Sequence, residues 1–141
     1  MKRIIILTIL LLSIASSSYS QLSVTTTART GKKVEIKIKN NANYDILVHN
    51  ESADGLPCFY FEMFDNSGNL INHYHTSMNA KKYYILKSGE EEKKTFSIKD
   101  LTKNISLVKE VNIRFFLNYT ILDGSRKIES YRTPAIISLI E

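Results

Sequence analysis

The stretch KKVEIKIKN, residues 32–40, has the clearest periodicity in the chain. Val34, Ile36 and Ile38 fall on one face of an extended backbone, and the charged side chains between them fall on the other. Strict alternation of apolar and polar residues over this length is typical of a half-buried antiparallel strand. The stretch therefore predicts a β-strand that packs one face on a core and exposes a charged face to solvent.

The same alternation recurs along most of the chain. It covers LSVTTTART (22–30), YDILVH (44–49), CFYFEMF (58–64), YYIL (83–86), TFSI (95–98), VNIRFFLNYTI (111–121) and PAIISLIE (134–141). Turn-forming sequences separate these runs: DNSGN (65–69) predicts a β-hairpin, and Asp123-Gly124 predicts a type I′ turn. The pattern predicts an all-β protein, an immunoglobulin-like antiparallel β-sandwich of about seven to eight strands.

The C-terminal third of the chain adds three details. Pro134 cannot donate a ladder hydrogen bond, so it indicates a strand start or an edge strand. Ile136 and Ile140 alternate with apolar neighbours, which predicts a final strand covered on both sides. Residues 100–110, DLTKNISLVKE, have only a weak apolar stripe and predict a loop with at most one helical turn.

Residues 1–20 have the composition of a secretory signal peptide. Lys2 and Arg3 precede an apolar run over residues 4–14, and Ser18-Tyr19-Ser20 fits a small-x-small cleavage site. The run is shorter than the roughly 20 residues that a spanning helix needs, although an uncleaved anchor is the alternative. We therefore predict a single domain, residues 21–141, that is periplasmic or secreted and has no stable membrane anchor after cleavage.

Charge and cysteine content exclude several classes of protein. The formal charge is +5, and it falls to +3 when Lys2 and Arg3 are removed with the signal. The sequence has no lysine and arginine cluster with interleaved aromatics, so nucleic acid is not a predicted partner. Cys58 is the one cysteine. It cannot form an internal disulfide, and its apolar neighbours indicate a buried, inert thiol.

The sequence lacks the common motifs of catalysis. It contains no Gly-x-Ser-x-Gly, P-loop, His-Glu-x-x-His or Cys-x-x-Cys motif. These motifs carry much of the known hydrolytic, nucleotide-dependent, metal-dependent and redox chemistry. We therefore predict that the protein is not an enzyme and has no cofactor.

The order of the segments resembles the immunoglobulin-like domain of the bacterial intracellular proteinase inhibitor family. The likeness rests on VEIKIKNNANYDILV, FYFEMFDNSGNLI, YYILKSGEEEKKTFSI and VNIRFFLNYTI, and it covers roughly residues 34–139. In that family, Leu-x-x-Gly-Glu precedes a strand, and Leu86, Gly89 and Glu90 match this feature. The resemblance implies a sandwich fold and steric inhibition of a hydrolase. The chain departs from this intracellular family in its export signal.

Two of the three histidines, His73 and His75, lie one residue apart. In a strand both would point to the same side. Such a pair can bind Zn²⁺ or Cu²⁺ when a neighbour supplies a third ligand, for which His49 is a candidate and Asp65, Glu62 and Cys58 are other possible ligands. The alternatives are exposed histidines without a ligand and a pH-responsive contact patch. We predict no metal and take His73, His75 and His49 as the candidate ligands if one binds.

The stretch HYHTSMNAKKYY, residues 73–84, combines histidines, tyrosines and lysines in a predicted connection. Exposed tyrosine is favoured at protein interfaces. The alternative is a loop that only covers the edge of a sheet. The sequence thus predicts a partner-binding site formed by Tyr74, His75, Lys81, Lys82 and Tyr83.

Together these observations predict an exported, non-catalytic domain of bacterial type whose partner is another protein. Its most concrete form is a steric inhibitor or immunity-type protein directed against an extracytoplasmic hydrolase or toxin. Two alternatives stay open at this point: a carbohydrate- or surface-binding accessory module, and a small periplasmic metal-binding protein.

Overall fold

The computed structural model describes residues 21–141 apart from Ala53, so the predicted signal peptide, residues 1–20, lies outside the described residues. The described residues form eleven strands and two single-turn 3-10 helices, Ile98–Asp100 and Ile105–Leu107. The strands are β1 Leu22–Arg29, β2 Lys33–Asn40, β3 Ile46–His49, β4 Phe59–Phe64, β5 Leu70–Thr76, β6 Tyr83–Leu86, β7 Glu91–Ser97, β8 Glu110–Phe115, β9 Leu117–Ile121, β10 Ile128–Tyr131 and β11 Pro134–Ser138. None of the helices in this part of the chain has the length and apolar character needed to cross a membrane.

The strands form three antiparallel sheets. Sheet I has the order β1-β2-β7, sheet II the order β10-β9-β3-β6, and sheet III the order β11-β8-β4-β5. Sheets I and III meet across the core, where the Phe96 ring of β7 lies 6.4 Å from the Phe59 ring and 5.3 Å from the Phe61 ring of β4. The predicted all-β, sandwich-like class is confirmed.

The structure has more strands than the predicted seven to eight because two long runs divide between sheets. The run over residues 111–121 forms β8 in sheet III and β9 in sheet II, with the break at Phe116. The Phe116 amide donates a hydrogen bond to the Cys58 carbonyl oxygen instead of extending a strand (2.8 Å). The longer C-terminal stretch ESYRTPAIISLIE, residues 129–141, divides in the same way at Arg132 and Thr133, between β10 and β11.

These two divided runs are the arms of one bent hairpin. β8 pairs with β11 in sheet III, and β9 pairs with β10 in sheet II. Tyr131 lies opposite Leu117 before the bend, and Pro134 lies opposite Arg114 after it. The alternation continues through the bend because both sheets enclose the same core. All six predicted inward residues are buried: Val111, Ile113, Phe115, Leu117, Tyr119 and Ile121.

The end of the chain differs from the prediction in its exposure. The side of β11 that carries Ile137 is buried, but Ile136 is 70% exposed and Ile140 is 45% exposed. The final strand is therefore covered on one side only, so that prediction is wrong. An apolar run of this length does not distinguish a buried strand from an edge strand with exposed isoleucines. Pro134 does begin an edge strand, as expected.

The turns follow their sequences with one exception. The Asp65 carboxylate accepts hydrogen bonds from the Asn69 and Ser67 amides, which closes the predicted β4–β5 hairpin and lowers the pKa of Asp65. The predicted type I′ turn at Asp123-Gly124 is wrong, because positive φ angles occur at Gly124 and Arg126 and not at Asp123. That connection is longer than two residues. The predicted loop over residues 100–110 contains one 3-10 turn, Ile105–Leu107, and a second, Ile98–Asp100, overlaps its start, so the segment has one short turn more than predicted.

Two buried asparagines hold the irregular segments. Asn40 is fully buried and donates from Nδ2 to the carbonyl oxygens of Tyr44 (2.8 Å) and Leu86 (3.0 Å), where β2 gives way to β3. Asn50 is 1% exposed and donates to Asn79 Oδ1 (2.7 Å) and the Lys81 carbonyl oxygen (2.8 Å). Buried amides of this kind satisfy backbone groups that no strand pairs.

Candidate functional site

The outer face of sheet III brings together aromatic, charged and apolar side chains that the core does not use. Side chains alternate across a sheet, so the neighbours of buried Phe59, Phe61 and Met63 point away from the core. The strand register places them in two rows. One row is His75, Tyr60, Arg114 and Pro134, and the other is His73, Glu62, Asn112 and Ile136.

The predicted placement of His73 and His75 on one side of a strand is confirmed. Both belong to β5, an edge strand of sheet III. Their rings lie 5.7 Å and 4.6 Å from the ring of Tyr60 on the neighbouring strand. The two imidazoles therefore pack on one tyrosine and hold its ring in place.

Glu62 organises the middle of the face. Its Oε1 lies 2.9 Å from Arg114 Nε and accepts a hydrogen bond from Asn112 Nδ2 (3.2 Å). The Glu62 side chain is 16% exposed, which makes this pair more restricted than a surface ion pair. Asn112 Oδ1 is buried and has no hydrogen-bond partner within the described part of the chain.

The hairpin bend adds an aromatic corner to this face. The Arg132 guanidinium lies 5.7 Å from the centre of the Phe116 ring, a distance typical of a cation–π contact. Two shallow grooves of about 370 and 360 Å³ adjoin this corner. Arg114, Pro134 and Ile136 line the first groove, and His75 lines the second. The corner thus offers apolar recesses bordered by arginine.

The three-histidine metal site is not assembled. His49 lies in β3 of sheet II, where its ring packs edge-on against Tyr83 at 5.1 Å and its Nε2 lies 3.0 Å from Thr120 Oγ1. Burial lowers the pKa of His49 and favours its neutral form. Residues 21–141, Ala53 aside, contain no group of three or more side chains suited to hold a metal ion. His49 was a plausible third ligand only while its sheet was unknown.

The predicted partner-binding residues lie on two different sheets. Tyr74 and His75 belong to β5 of sheet III, and Tyr83 begins β6 at an edge of sheet II. Tyr74 is the register partner of buried Phe61, so it points to the opposite side from His75. Of the predicted five, only His75 lies on the outer face of sheet III.

The connection between β5 and β6 explains this separation. Met78 is 3% exposed and joins the core, and Asn79 is held by Asn50. Lys81 and Lys82 follow these anchors, and Lys82 Nζ lies 3.9 Å from Glu51 Oε2. The connection is therefore fixed to the core and does not form one continuous contact loop.

Sequence reasoning missed most of the residues on the outer face of sheet III. The missed residues are Asn112, Arg114, Arg132 and Ile136, and the sequence suggests Glu62 only as a possible metal ligand. The polar residues that alternate with apolar ones in residues 59–64 and 111–115 could have indicated this face. Only the strand order shows that these two sets of polar residues are adjacent.

Cys58 is the buried thiol that its neighbours predict. It is fully buried, and its Sγ lies 3.8 Å from Asn50 Oδ1. Burial raises the pKa of the Cys58 thiol to about 12. The thiolate is the reactive form, and a pKa this high leaves only about one thiolate in ten thousand at pH 8.

We expect Cys58 to resist thiol reagents in the folded protein. A disulfide reagent added at pH 8 should release no colour from the native protein over minutes and about one equivalent after unfolding in guanidinium chloride. The unfolded protein is the internal control, since it contains the same thiol without the burial. Native reaction at the rate of free cysteine would contradict the buried position of this residue.

No family model matches the chain, and no curated protein matches it. Among solved structures it is similar to the "putative ApaA protein" from Bordetella pertussis, with a TM-score of 0.50 and 10% identity over 84% of this chain and 93% of that one. It is also similar to structural genomics target SoR45, with a TM-score of 0.45, 11% identity and 84% of each chain covered. The first of these likenesses shows a shared fold.

Proposed function

We propose that this protein is an exported, non-catalytic protein-binding domain and that the outer face of sheet III is its contact surface. The observation that carries the proposal is Ile136, which is 70% exposed in the row that also holds Glu62 and Asn112. An exposed isoleucine among arginine and aromatic side chains has the composition of an interface centre.

The face is also well suited to bind without rearrangement. Tyr60 packs against two histidine rings, and Arg114 pairs with Glu62. Tyrosine and arginine are the side chains that most often dominate binding energy, and ordering them before binding lowers the entropic cost. A partner side chain can enter the groove beside Ile136, which Asn112 and Arg114 also line.

The proposed role is steric inhibition of an extracytoplasmic hydrolase or toxin, including an immunity-type role. Two observations support it: the resemblance to the proteinase inhibitor family and the signal-like composition of residues 1–20. The domain itself includes the residue after the predicted cleavage site, because the Gln21 carbonyl oxygen accepts the Asn41 amide (2.8 Å). A bound domain of this size would cover the cleft of a target enzyme and exclude its substrate.

The test compares three baits made from residues 21–141. Wild-type protein, Ile136→Asp and Ile128→Asp are immobilised and exposed to an extracytoplasmic extract of the source cells. Ile128 is a matched control, since it is 63% exposed on an edge strand of sheet II. We expect the wild type and Ile128→Asp to retain the same protein and Ile136→Asp to lose it.

The captured protein is then assayed for hydrolase or toxin activity with and without the domain. Loss of that activity on binding supports the inhibitor role. Capture that survives Ile136→Asp, or capture of nothing by the wild type, would contradict the proposal. All three baits should first give the same thermal unfolding midpoint, which shows that the substitutions leave the fold intact.

A further inference from the structure

The outer face of sheet I carries a concentrated positive charge. Val34, Ile36 and Ile38 point to the core, so the residues between them point outward. The charged residues of this face are Arg29 on β1, Lys33, Glu35, Lys37 and Lys39 on β2, and Glu91 and Lys93 on β7. Five cations against two carboxylates leave a net charge of +3. Residues 21–141 as a whole also carry +3, because Lys2 and Arg3 account for two of the five charges of the chain.

Most of this charge is not neutralised on the face itself. Glu35 pairs with Arg29 at 3.2 Å, and Glu91 lies 3.8 Å from Lys37. Among the residues that the structure describes, the remaining three lysines form no salt bridge: Lys33, Lys39 and Lys93. Each of these three is exposed.

Sheet stability does not account for the arrangement. Lys37 lies directly opposite Lys93 in the β2–β7 register. Like charges directly opposite each other destabilise an antiparallel pair. A negatively charged partner would remove this repulsion, so the pair is better explained by binding than by folding.

The composition of the face argues against a protein partner. Protein interfaces are depleted in lysine and depend on buried aromatic or arginine anchors. Outward positions between the lysines hold short hydroxyl side chains: Ser23, Thr25, Thr27 and Thr95. The face therefore has no apolar residue that could serve as an anchor.

The shape of the charged area indicates a planar partner. From Lys33 to Lys39 the lysines extend about 20 Å along β2, at roughly 3.4 Å per residue. Across the three strands the area is about 10 Å wide, from a strand spacing of roughly 4.8 Å. Charge spread over two dimensions fits a plane of anionic groups better than a single polymer chain, which is commonly held in a groove.

We propose that the outer face of sheet I docks reversibly on the anionic lipid headgroups of a membrane surface. Binding is electrostatic, with each free lysine attracted by the negative surface potential. Sheets I and III meet through Phe96, so their outer faces point in opposite directions. A domain docked in this way keeps the outer face of sheet III available, but the lipid proposal does not depend on the protein-binding function.

The test is sedimentation of residues 21–141 with lipid vesicles. One set contains phosphatidylcholine with about one third phosphatidylglycerol, a composition that gives a strongly negative surface. The other set contains phosphatidylcholine alone. We expect the protein to bind the anionic vesicles at low ionic strength and not to bind the neutral vesicles. At about 0.5 M salt it should be released, because screening shortens the range of the electrostatic attraction.

Two triple variants separate the face from net charge. Lys33→Gln/Lys39→Gln/Lys93→Gln removes the free lysines of sheet I, and Lys81→Gln/Lys103→Gln/Arg126→Gln removes three exposed cationic side chains elsewhere. Lys99 is kept because it lies next to the start of β2, and both variants then lower the net charge by the same amount. Each lysine near an anionic surface raises the partition coefficient about fivefold. Loss of three lysines should therefore lower the partition coefficient of the first variant about a hundredfold. The two variants are compared at about 0.1 M ionic strength, where the Debye length is about 10 Å, and there the second should lose less than about threefold in partitioning.

Three results would overturn the proposal. The first is absence of wild-type partitioning onto anionic vesicles at low salt. The second is an equal loss in both triple variants, which would show an effect of net charge alone. The third is retention on an anionic polysaccharide resin without vesicle binding, which would assign the face to a glycan. Unchanged thermal unfolding of both variants shows that a loss of binding is not a loss of fold.

Discussion

Phe59→Ala should lower the free energy of unfolding by about 3–5 kcal/mol. Phe59 is fully buried, and its ring lies 5.1 Å from Phe115 and 6.4 Å from Phe96. It thus touches β7 of sheet I and β8 of sheet III at once. Its removal leaves a cavity between the sheets that neighbouring strands cannot close without losing their pairing.

Urea denaturation followed by circular dichroism measures this loss. Leu70→Ala is the control, since Leu70 is 51% exposed on the adjacent hairpin and should change the unfolding free energy by less than about 1 kcal/mol. A domain of this size has a total stability of about 5–15 kcal/mol, so the Phe59 variant should be unfolded at a much lower urea concentration. Equal midpoints for the two variants would contradict the packing of sheet I on sheet III.

Asn50→Ala should lower the free energy of unfolding by about 2–4 kcal/mol, the second-largest effect that we expect. The side chain donates to Asn79 Oδ1 (2.7 Å) and to the Lys81 carbonyl oxygen (2.8 Å), and both bonds are lost in the variant. Each lost hydrogen bond costs about 0.5–1.5 kcal/mol, and the Lys81 carbonyl oxygen left without this donor adds about 1 kcal/mol. Asn50 thus fixes the connection from β5 to β6.

The matched control for this substitution is Asn43→Ala. Asn43 is exposed in the connection between β2 and β3, so its removal should change the unfolding free energy by less than about 0.5 kcal/mol. Thermal unfolding of both variants at neutral pH gives the comparison. A loss below 1 kcal/mol for Asn50→Ala would show that the connection does not depend on these hydrogen bonds.

The regular part of the fold is predictable because alternation reports burial directly. In β2, Val34, Ile36 and Ile38 are buried as their spacing requires. The bend at Phe116 is not predictable in this way, since the residues on both sides of it face one core and the alternation continues. A strand that changes sheet therefore has the same pattern as one long strand.

The candidate site is less predictable because it depends on strand order. His73 and His75 share a face in any strand, and the structure confirms this. β4 pairs with both β5 and β8, and this pairing brings the histidines to Tyr60 and Arg114 to Glu62. A local sequence pattern does not show which strands are neighbours in a sheet. Residues 73–84 resemble a contact loop in composition, but buried Met78 divides them between two sheets.

The three sheets expose different types of side chain on their outer faces, and local composition does not predict this difference. Sheet I exposes lysine, sheet II exposes Ile85 and Ile128, and sheet III exposes Ile136 beside arginine and tyrosine. Each face is the polar or exposed half of strands that look alike in sequence. Their different chemistry appears only when the sheets are assembled, and it is the reason for proposing separate partners for sheets I and III.

The most direct test of the protein-binding face is the dissociation constant of the captured partner for two variants measured side by side by titration calorimetry. Ile136→Asp places a charge on the edge strand β11 of the proposed contact face of sheet III, and Ile128→Asp places the same charge on an edge strand of sheet II. We predict that Ile136→Asp weakens binding by about a hundredfold or more and that Ile128→Asp changes it less than about threefold, as expected for a hot spot and a residue outside the interface. Equal affinities for the two variants, or the larger loss in Ile128→Asp, would contradict the assignment of the outer face of sheet III.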